Sequence, residues 1–530
     1  MKRFFTIAVL LAGALPLGAQ GWQDAYLFSE NQYSGTARSV ALGNAMTAVG
    51  GDLGSLTFNP AGSAVVSYGQ FTLTPGFSLA TTTSQGTPLT GSTEPYGFQD
   101  SVNDYNFRFK FPNFGLTGVY NTGRSRGITR WTFGFVGNVT NDYTNRFTAT
   151  GTNGETSMAA ALASDATGIS EDVLRGSWWQ DNCPAWQTLA AYKAWVFSPV
   201  EGYPGEYAAV TEQVYPNGDR SLPGYINQYY SQVRKGYKYD MLINLAADVS
   251  DIFYFGANLG MVSLKYQMNE AGVESPVESN ANLFILPSGQ RFDSMKTNYA
   301  YDATGSGVYL KVGALVRPFA GLRIGAAIQT PTAMNIRDEI ICSAESVLSG
   351  TSYYAKPDES AVYEYRVISP YRVDAGIAYT FGNIALLSVD YEMCDYSTAR
   401  LRTSQDTGYD DFADANLDIR ENLGIAHELR AGFELKPTPA LAIRTGYNYL
   451  TSPEVYAPDF TRQKVSFGLG YDSGGSFFAD FAFRMQWLPK EYLIPYTYYT
   501  PDANGNEILT PEIGVSTVLS DGLVTLGWRF

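Results

Sequence analysis

The chain carries one histidine, His427, and three cysteines, Cys183, Cys342 and Cys394, in 530 residues. A Ser-His hydrolase would need that histidine beside a serine on a common face, and no motif of that kind surrounds it. The cysteines form an odd, widely spaced set, which is neither a disulfide framework nor a CxxC metal pair. The signatures HExxH, GxGxxG and GxxxxGKS/T are absent. Asp406, Asp410, Asp411, Asp414 and Asp418 crowd one segment without the spacing or the glycine of a calcium-binding loop, and read as a solvated acidic loop (406–418) rather than a divalent-ion site;. Half of the tryptophans, Trp178, Trp179, Trp186 and Trp195, fall within one stretch, and clustered aromatics suit apolar ligands;. The chemistry on offer is recognition of apolar matter. No enzyme activity, cofactor or metal is expected.

The length suggests three or four ordinary domains unless one large sheet absorbs it. Charged residues are only 16% and aromatics 14%, while apolar content is 45%, a balance that excludes intrinsic disorder;. No apolar run outside the first twenty residues approaches the roughly 18 that a spanning helix requires. A net charge of −15 makes nucleic acid a poor partner, because phosphate would be repelled;. At the start, Lys2 and Arg3, the apolar Phe4 to Leu15 and the small-residue end Leu17-Gly18-Ala19 have the three-part layout of a secretory signal peptide, residues 1–19;. No cysteine follows that would mark a lipoprotein.

Period-two alternation then dominates. Tyr237, Tyr239, Met241, Ile243, Leu245, Ala247 and Val249 share one face of their segment, with Lys238, Asp240, Asn244 and Asp248 on the other. The segments 320–330, 427–436 and 477–487 repeat this apolar face against a polar, glycine-rich one. Strands of about ten residues match the 9 to 11 that cross a bilayer at a tilt. The connections alternate between tight turns and long loops, the longest near 148–235. About fourteen strands result, the even number expected of an outer-membrane barrel with tight periplasmic turns and long extracellular loops. His427 falls on the lipid-facing parity, as an interfacial girdle residue. The last strand alternates and ends on Phe530, the kind of C-terminus read by barrel-insertion machinery.

Residues 21–67 do not alternate. They contain Gly35-Thr36-Ala37-Arg38, Gly50-Gly51-Asp52 and Asn59-Pro60-Ala61-Gly62, with a small-residue stretch between that is expected to be helical. Small residues let backbone lie close to an inner wall, and Asn-Pro initiates a turn. Together with the hairpin Val316-Arg317-Pro318-Phe319-Ala320-Gly321 and the run Leu435-Lys436-Pro437 through Gly446-Tyr447, this segment resembles the FadL family of outer-membrane long-chain fatty acid transporters, in a Bacteroidetes-like version. The resemblance covers nearly the whole mature chain.

It implies an all-β membrane protein of a Gram-negative outer membrane: a plug or hatch, partly helical, at 20–67 and a transmembrane β-barrel of about fourteen strands at 68–530. It further implies passive uptake of hydrophobic molecules such as long-chain fatty acids or aromatic hydrocarbons. The ligand would pass from an outer-loop groove at Trp178, Trp179, Trp186 and Trp195 to a pocket gated by Gly35, Arg38, Gly50, Gly51, Asp52, Asn59, Pro60, Ala61 and Gly62, and then leave sideways into outer-membrane lipid. Pro112 and Pro370 lie within strands and cannot donate to a ladder, so each marks a candidate kink. Inward parity assigns Asp240, Arg323, Arg366, Arg372, Asp374, Glu428, Arg430 and Arg444 to the lumen, as partners for the plug. Two other readings stay open: a receptor for haem or another bulky apolar ligand, and a structural or adhesive surface barrel.

Overall fold

The computed structural model describes residues 20–87, 96–180, 183–216, 218–404, 412–457, 460–498 and 508–530. The signal segment 1–19 and Asp406, Asp410 and Asp411 of the acidic loop lie outside the described residues.

Fourteen antiparallel strands close into a barrel. They are β1 (Gln70–Thr87), β2 (Val102–Asn121), β3 (Ile128–Asp142, continuing as Asn145–Asn153), β4 (Ile226–Val249), β5 (Phe253–Pro276), β6 (Phe292–Phe319) and β7 (Leu322–Gln329 with Ala333–Leu348). The second half comprises β8 (Ala361–Ile368 with Arg372–Phe381), β9 (Ala385–Asp395 with Arg400–Thr403), β10 (Ile425–Thr438), β11 (Leu441–Leu450), β12 (Arg462–Asp472), β13 (Phe477–Trp487) and β14 (Glu512–Arg529). Each strand pairs with its sequence neighbours, and β1 closes the ring by pairing with β14 from Gln70↔Arg529 to Thr87↔Glu512. Closure leaves no free sheet edge at the join, the condition for a β structure in lipid.

Alternation explains which way each strand faces. Ile243, Leu245, Leu259, Leu310, Val312, Leu387, Leu429, Phe467 and Val524 are exposed on the outer wall, while Asn244, Asn258, Lys311, Asp390, Arg430 and Thr525 are buried inside it. An apolar band outside and a polar filled interior define a transmembrane barrel, here of the outer-membrane type. No helix of the described residues is long and apolar enough to cross a membrane. His427 is on the outer face, its Nδ1 2.6 Å from the Tyr391 hydroxyl and its ring stacked on that tyrosine.

The strands are longer than the expected ten residues: β5 runs for 24 and β6 for 28. Their upper halves rise beyond the apolar band, where outward positions become Arg337, Glu339 and Glu364 and alternation of hydropathy stops marking them. Residues 268–276 and 292–297, expected in a loop, are therefore ladder. The connection from β3 to β4 holds α3 (Met158–Ala166), α4 (Glu171–Arg175) and α5 (Trp186–Lys193). Ala160, Leu174, Leu189 and Phe197 give it a core of its own.

Arg366 corrects the parity reading. It points outward, donating from Nε to Asn335 Oδ1 at 3.1 Å, while Tyr365 and Val367 are buried inside. The break at Ser369-Pro370-Tyr371 in β8 faces the break at Thr330-Pro331-Thr332 in β7, and both strands change inward parity across it. One irregular residue moves the whole inward set by one position. The two strands change together, so their register is kept, and Ser369 N donates to Thr332 O at 2.9 Å across the break.

Candidate functional site

Residues 20–69 fill the lumen. α1 (Trp22–Ser29) starts at Gly21, whose N–H donates to the Asp24 carboxylate at 3.2 Å. The expected helical stretch is a short α2 (Ala37–Ala41), followed by two 3-10 turns, Leu53–Thr57 and Pro60–Val65. Asp52 caps the first of these turns through Gly54 N–H at 2.8 Å and accepts the Thr36 hydroxyl at 2.6 Å, so it ties both ends of the loop around α2 together. Asn59 caps the second: its Oδ1 accepts from Ala61 N at 3.0 Å, and its Nδ2 donates to Thr47 O at 2.8 Å and to Ala314 O of β6 at 3.0 Å. Gly50 has φ +61°, and Gly51 N donates to Gly62 O at 2.9 Å. Gly35 packs on Gly54, 3.7 Å from where its missing Cβ would stand. The plug residues singled out by sequence thus form one interlocked loop system.

The barrel meets that loop with a collar of inward glycines. A Cβ on Gly256 would stand 2.5 Å from Ala61 N and from Pro60 O, and one on Gly432 would stand 2.5 Å from Leu42 O. Gly313 faces Asn59, Gly325 faces Thr47 and Gly446 faces Gly43 in the same way. Any side chain there would push the plug off the wall, which is why the inward parity is so rich in glycine. Around the collar the polar wall saturates the plug's backbone: Asn244 Nδ2 donates to Pro60 O at 3.0 Å, Asn258 Nδ2 to Leu56 O at 2.7 Å, Lys311 Nζ to Thr57 O at 2.8 Å and Arg323 to Val49 O at 2.6 Å.

The inward charges around the plug pair across the lumen in the same way. Fully buried Arg430 pairs with Glu392, with Glu428 at 2.6 Å and with Asp374 at 3.5 Å, and its guanidinium lies 4.7 Å from the Phe58 ring centre of the plug. Lys311 holds Asp374 at 2.7 Å, and Arg372 holds Glu392 at 2.8 Å while donating to Ser29 O at 2.7 Å. Arg38 of α2 pairs with Glu434 at 3.0 Å, which Arg444 also holds at 2.6 Å. Burying charge is tolerable only when it is paired and hydrogen-bonded in this way. On the periplasmic side of this network a polar pocket of about 150 Å³ lies between Arg38, Asp52, Arg444, Asp480 and Arg529.

Above the collar the lumen turns apolar and aromatic. Val262, Leu264 and Tyr266 of β5, Ala303 and Tyr309 of β6, Met334 and Ile336 of β7, and Tyr365 and Val367 of β8 are buried there. α1 occupies this space: Phe28 meets Tyr266 edge-on at 6.3 Å and Tyr26 meets Tyr396 at 5.1 Å. Sequence reasoning missed α1, although Trp22, Ala25, Tyr26 and Ser29 follow helical spacing and Asp24 stands at a capping position.

One seam in the wall is incomplete. Opposite Pro75, β2 carries the extra residue of a bulge at Phe111-Pro112, since Thr74 pairs with Asn113 but Gly76 with Lys110. β2 pairs with β3 only from Asn113 to Asn121, so its half from Val102 to Pro112 hangs on β1 alone. Tyr239 of β4 donates its hydroxyl to the freed Phe111 carbonyl at 2.7 Å. On the lumen side Arg108 pairs with Asp142 of β3, and Lys110 with Asp521 of β14. Outside, Tyr105, Phe107, Phe109 and Phe111 are more than half exposed, at 51% to 67%. Parity gives no sign of Tyr239, Arg108 or Asp142 as bridges, because the bulge alone brings them there.

No protein-family model and no curated protein matches this sequence. Among solved structures it is similar to a Pseudomonas aeruginosa FadL homologue, at 13% identity over 94% of this chain and 98% of that one, with a TM-score of 0.50. The chain has the fold of a FadL homologue. A lesser likeness links it to the Pseudomonas putida toluene transporter TodX, at 13% identity over 93% and 98% of the two chains with a TM-score of 0.48. The CymD monoaromatic hydrocarbon channel gives 11% identity, 92% and 96% coverage and a TM-score of 0.45.

Within this FadL-like barrel the tryptophans do not act as one set. Trp178 and Trp179 both pack edge-on against Trp186, at 5.8 and 4.9 Å, whereas Trp195 turns away to Tyr353. Trp178 and Lys193 line an open surface groove of about 580 Å³ with Tyr354, Lys356 and Pro357 of the segment joining β7 to β8. Lys193 Nζ lies 5.8 Å from the Trp178 ring centre. Of the two candidate kinks, Pro112 stands at the incomplete seam and Pro370 at a break stitched in register.

Proposed function

We propose that this barrel takes up hydrophobic small molecules passively across the outer membrane, by lateral exit between β2 and β3. The observation that carries the reading is the loss of β2–β3 pairing above Asn113, beside an apolar lumen that the plug keeps shut. A barrel that only anchored loops would gain from completing that ladder, since unpaired strand edge in lipid is costly. The ligand adsorbs at the groove of Trp178 and Lys193, which offers an aromatic face and a cation. It enters the upper lumen when α1 yields, and passes sideways as the Arg108–Asp142 and Tyr239–Phe111 bridges part. Arg38, Asp52 and Asn59 hold the hatch against the wall, and the strand ending at Phe530 is the signal read by insertion machinery.

Deleting Pro112 removes the extra residue of the bulge and lets β2 zip onto β3. Uptake of a long-chain fatty acid and of an aromatic hydrocarbon by cells carrying the deletion is expected to fall to the level of cells lacking the protein. The lateral route is wrong if a folded, surface-expressed deletion variant transports both as well as the parent. Uptake that never exceeded that of cells lacking the protein, for either ligand, would remove the transport reading altogether.

A further inference from the structure

High in the lumen, beside the first turn of α1, lies a buried acid that meets no cation among the described residues. Asp338 of β7 is 1% exposed, and neither of its carboxylate oxygens forms an aligned hydrogen bond among the described residues. The buried hydroxyls of Tyr301 and Tyr365 and the Gln20 side chain turn toward it, all of them neutral donors. The groups that act on Asp338 are Asp24, Tyr301, Tyr365 and the Gln20 side chain, none of them a cation. Elsewhere in this lumen the buried carboxylates Asp374, Glu392, Glu428 and Glu434 each meet an Arg or a Lys, and Asp390 accepts the Thr47 N–H. An unpaired buried carboxylate beside a second acid is costly, and the missing element is a positive charge with several donors.

The Gln20 side chain reaches Asp338 at this spot, and the next residue, Gly21, donates its N–H to Asp24. Residues 1–19 have the layout of a signal peptide ending in Gly18-Ala19;. We propose that Asp338, with Tyr301, Tyr365 and Asp24, is the receptor for the α-ammonium group created at Gln20 when the signal peptide is removed. Hydrolysis of the Ala19–Gln20 bond consumes one water, leaves a carboxylate on Ala19 and a new amine on Gln20, and the amine takes up a proton. The resulting cation brings three donors, which a carboxylate and two phenolic oxygens can accept. Processing then clamps the top of α1 into the apolar lumen, so that only the mature chain has a fully seated plug.

The test uses the full chain, exported and purified from outer membranes in detergent. Intact mass and N-terminal sequencing are expected to place the mature start at Gln20 with a free amine. An acetyl N-hydroxysuccinimide ester at neutral pH then probes that amine, with its acetylation read by peptide mass spectrometry. Pairing with a carboxylate favours the ammonium form, and one unit of pKa changes the reactive fraction about tenfold. The wild-type amine should therefore react about tenfold more slowly than in Asp338→Asn, while Asp165→Asn in the outer loop leaves the rate unchanged. Asp24→Asn is expected to accelerate the reaction as well, and is read in the same way should Asp338→Asn fail to give a heat-modifiable folded barrel. A start at another residue, a Gln20 cyclised to uncharged pyrrolidone, or equal rates in wild type and the variants would each overturn the proposal.

Discussion

Gly256→Val tests whether the plug is held by shape. The Cβ alone would stand 2.4 Å from Pro60 C and 2.5 Å from Ala61 N and Pro60 O, against the 3.4 Å at which ordinary contact begins, so the Asn59-Pro60-Ala61 turn must retreat by about 1.0 Å. Overpacking of this kind costs about 1–3 kcal/mol. The retreat also strains the Asn244→Pro60 O bond, 3.0 Å long, whose loss is worth roughly 1 kcal/mol;. A combined cost of up to about 4 kcal/mol shifts the seated-to-displaced ratio of the plug by up to about a thousandfold, at about 1.4 kcal/mol per factor of ten. The assay is single-channel conductance in planar bilayers, with heat-modifiability on gels as the check that the barrel has folded. Gly118→Ala is the control, since nothing lies within 4 Å of a Cβ there. Gly256→Val should open frequent or long-lived conducting states that the control lacks. If both variants are as silent as the parent, the collar is not what seats the plug and the close-approach argument fails.

Tyr239→Phe leaves the Phe111 carbonyl without its 2.7 Å partner, a loss of about 1 kcal/mol that should speed lateral release about fivefold; a slower or unchanged uptake rate would contradict a latch there;. Replacing Lys193 and Lys356 by Ala should weaken surface binding of a fatty acid by a fewfold, as expected for exposed charge pairs, and leave a neutral hydrocarbon unaffected;. Isothermal titration with both ligands separates these outcomes, and equal losses for both would assign the groove to apolar contact alone. Burial pushes Asp165 of α3 up to about 7 from 3.8, so the folded loop keeps a proton that the unfolded one releases. Its stability therefore falls as pH rises from about 4 to about 7 and is level above, by linkage. Asp165→Asn should flatten that profile in limited proteolysis of the 154–225 loop, and an unchanged profile would place the titration elsewhere.

The barrel was legible because lipid outside and a polar plug inside impose one rule on every strand at bilayer depth. Beyond that depth the rule lapses. Above the apolar band, outward Arg337 and Glu364 look like loop residues, although they sit on continuous ladders. Arg366 was misassigned because one irregular residue at Pro370 reverses parity, and a period-two reading carries no memory of such a break. The plug's motif residues were legible as small and turn-forming. Their collar was visible only as glycines on the inward face, with nothing to say which glycine meets which loop. Asp338 gave no signal at all: one aspartate on the inward parity of a strand is ordinary until three-dimensional packing shows that its neighbours are an acid and two phenols.

The inward charges bear on mechanism once their partners are known. A wide solvated channel keeps its charges hydrated, and pairing them across the lumen would close it. Here Arg430, Lys311 and Arg372 are each locked to carboxylates and reach plug rings or carbonyls as well, so the lower lumen is a seal made of polar interactions. Such a seal can part and re-form with water at modest net cost, because water takes the place of each hydrogen-bonding partner that moves away. The upper seal differs: Phe28 and Tyr26 of α1 cover aromatic wall, and exposing that wall to water costs about 25 cal/mol per Å² unless an apolar molecule takes the helix's place;. A hydrophobic ligand is therefore the one solute that lowers the cost of moving α1. On the proposed route, opening is coupled to the presence of cargo by the chemistry of the lining, and ions, which gain nothing there, are held back by the same surface.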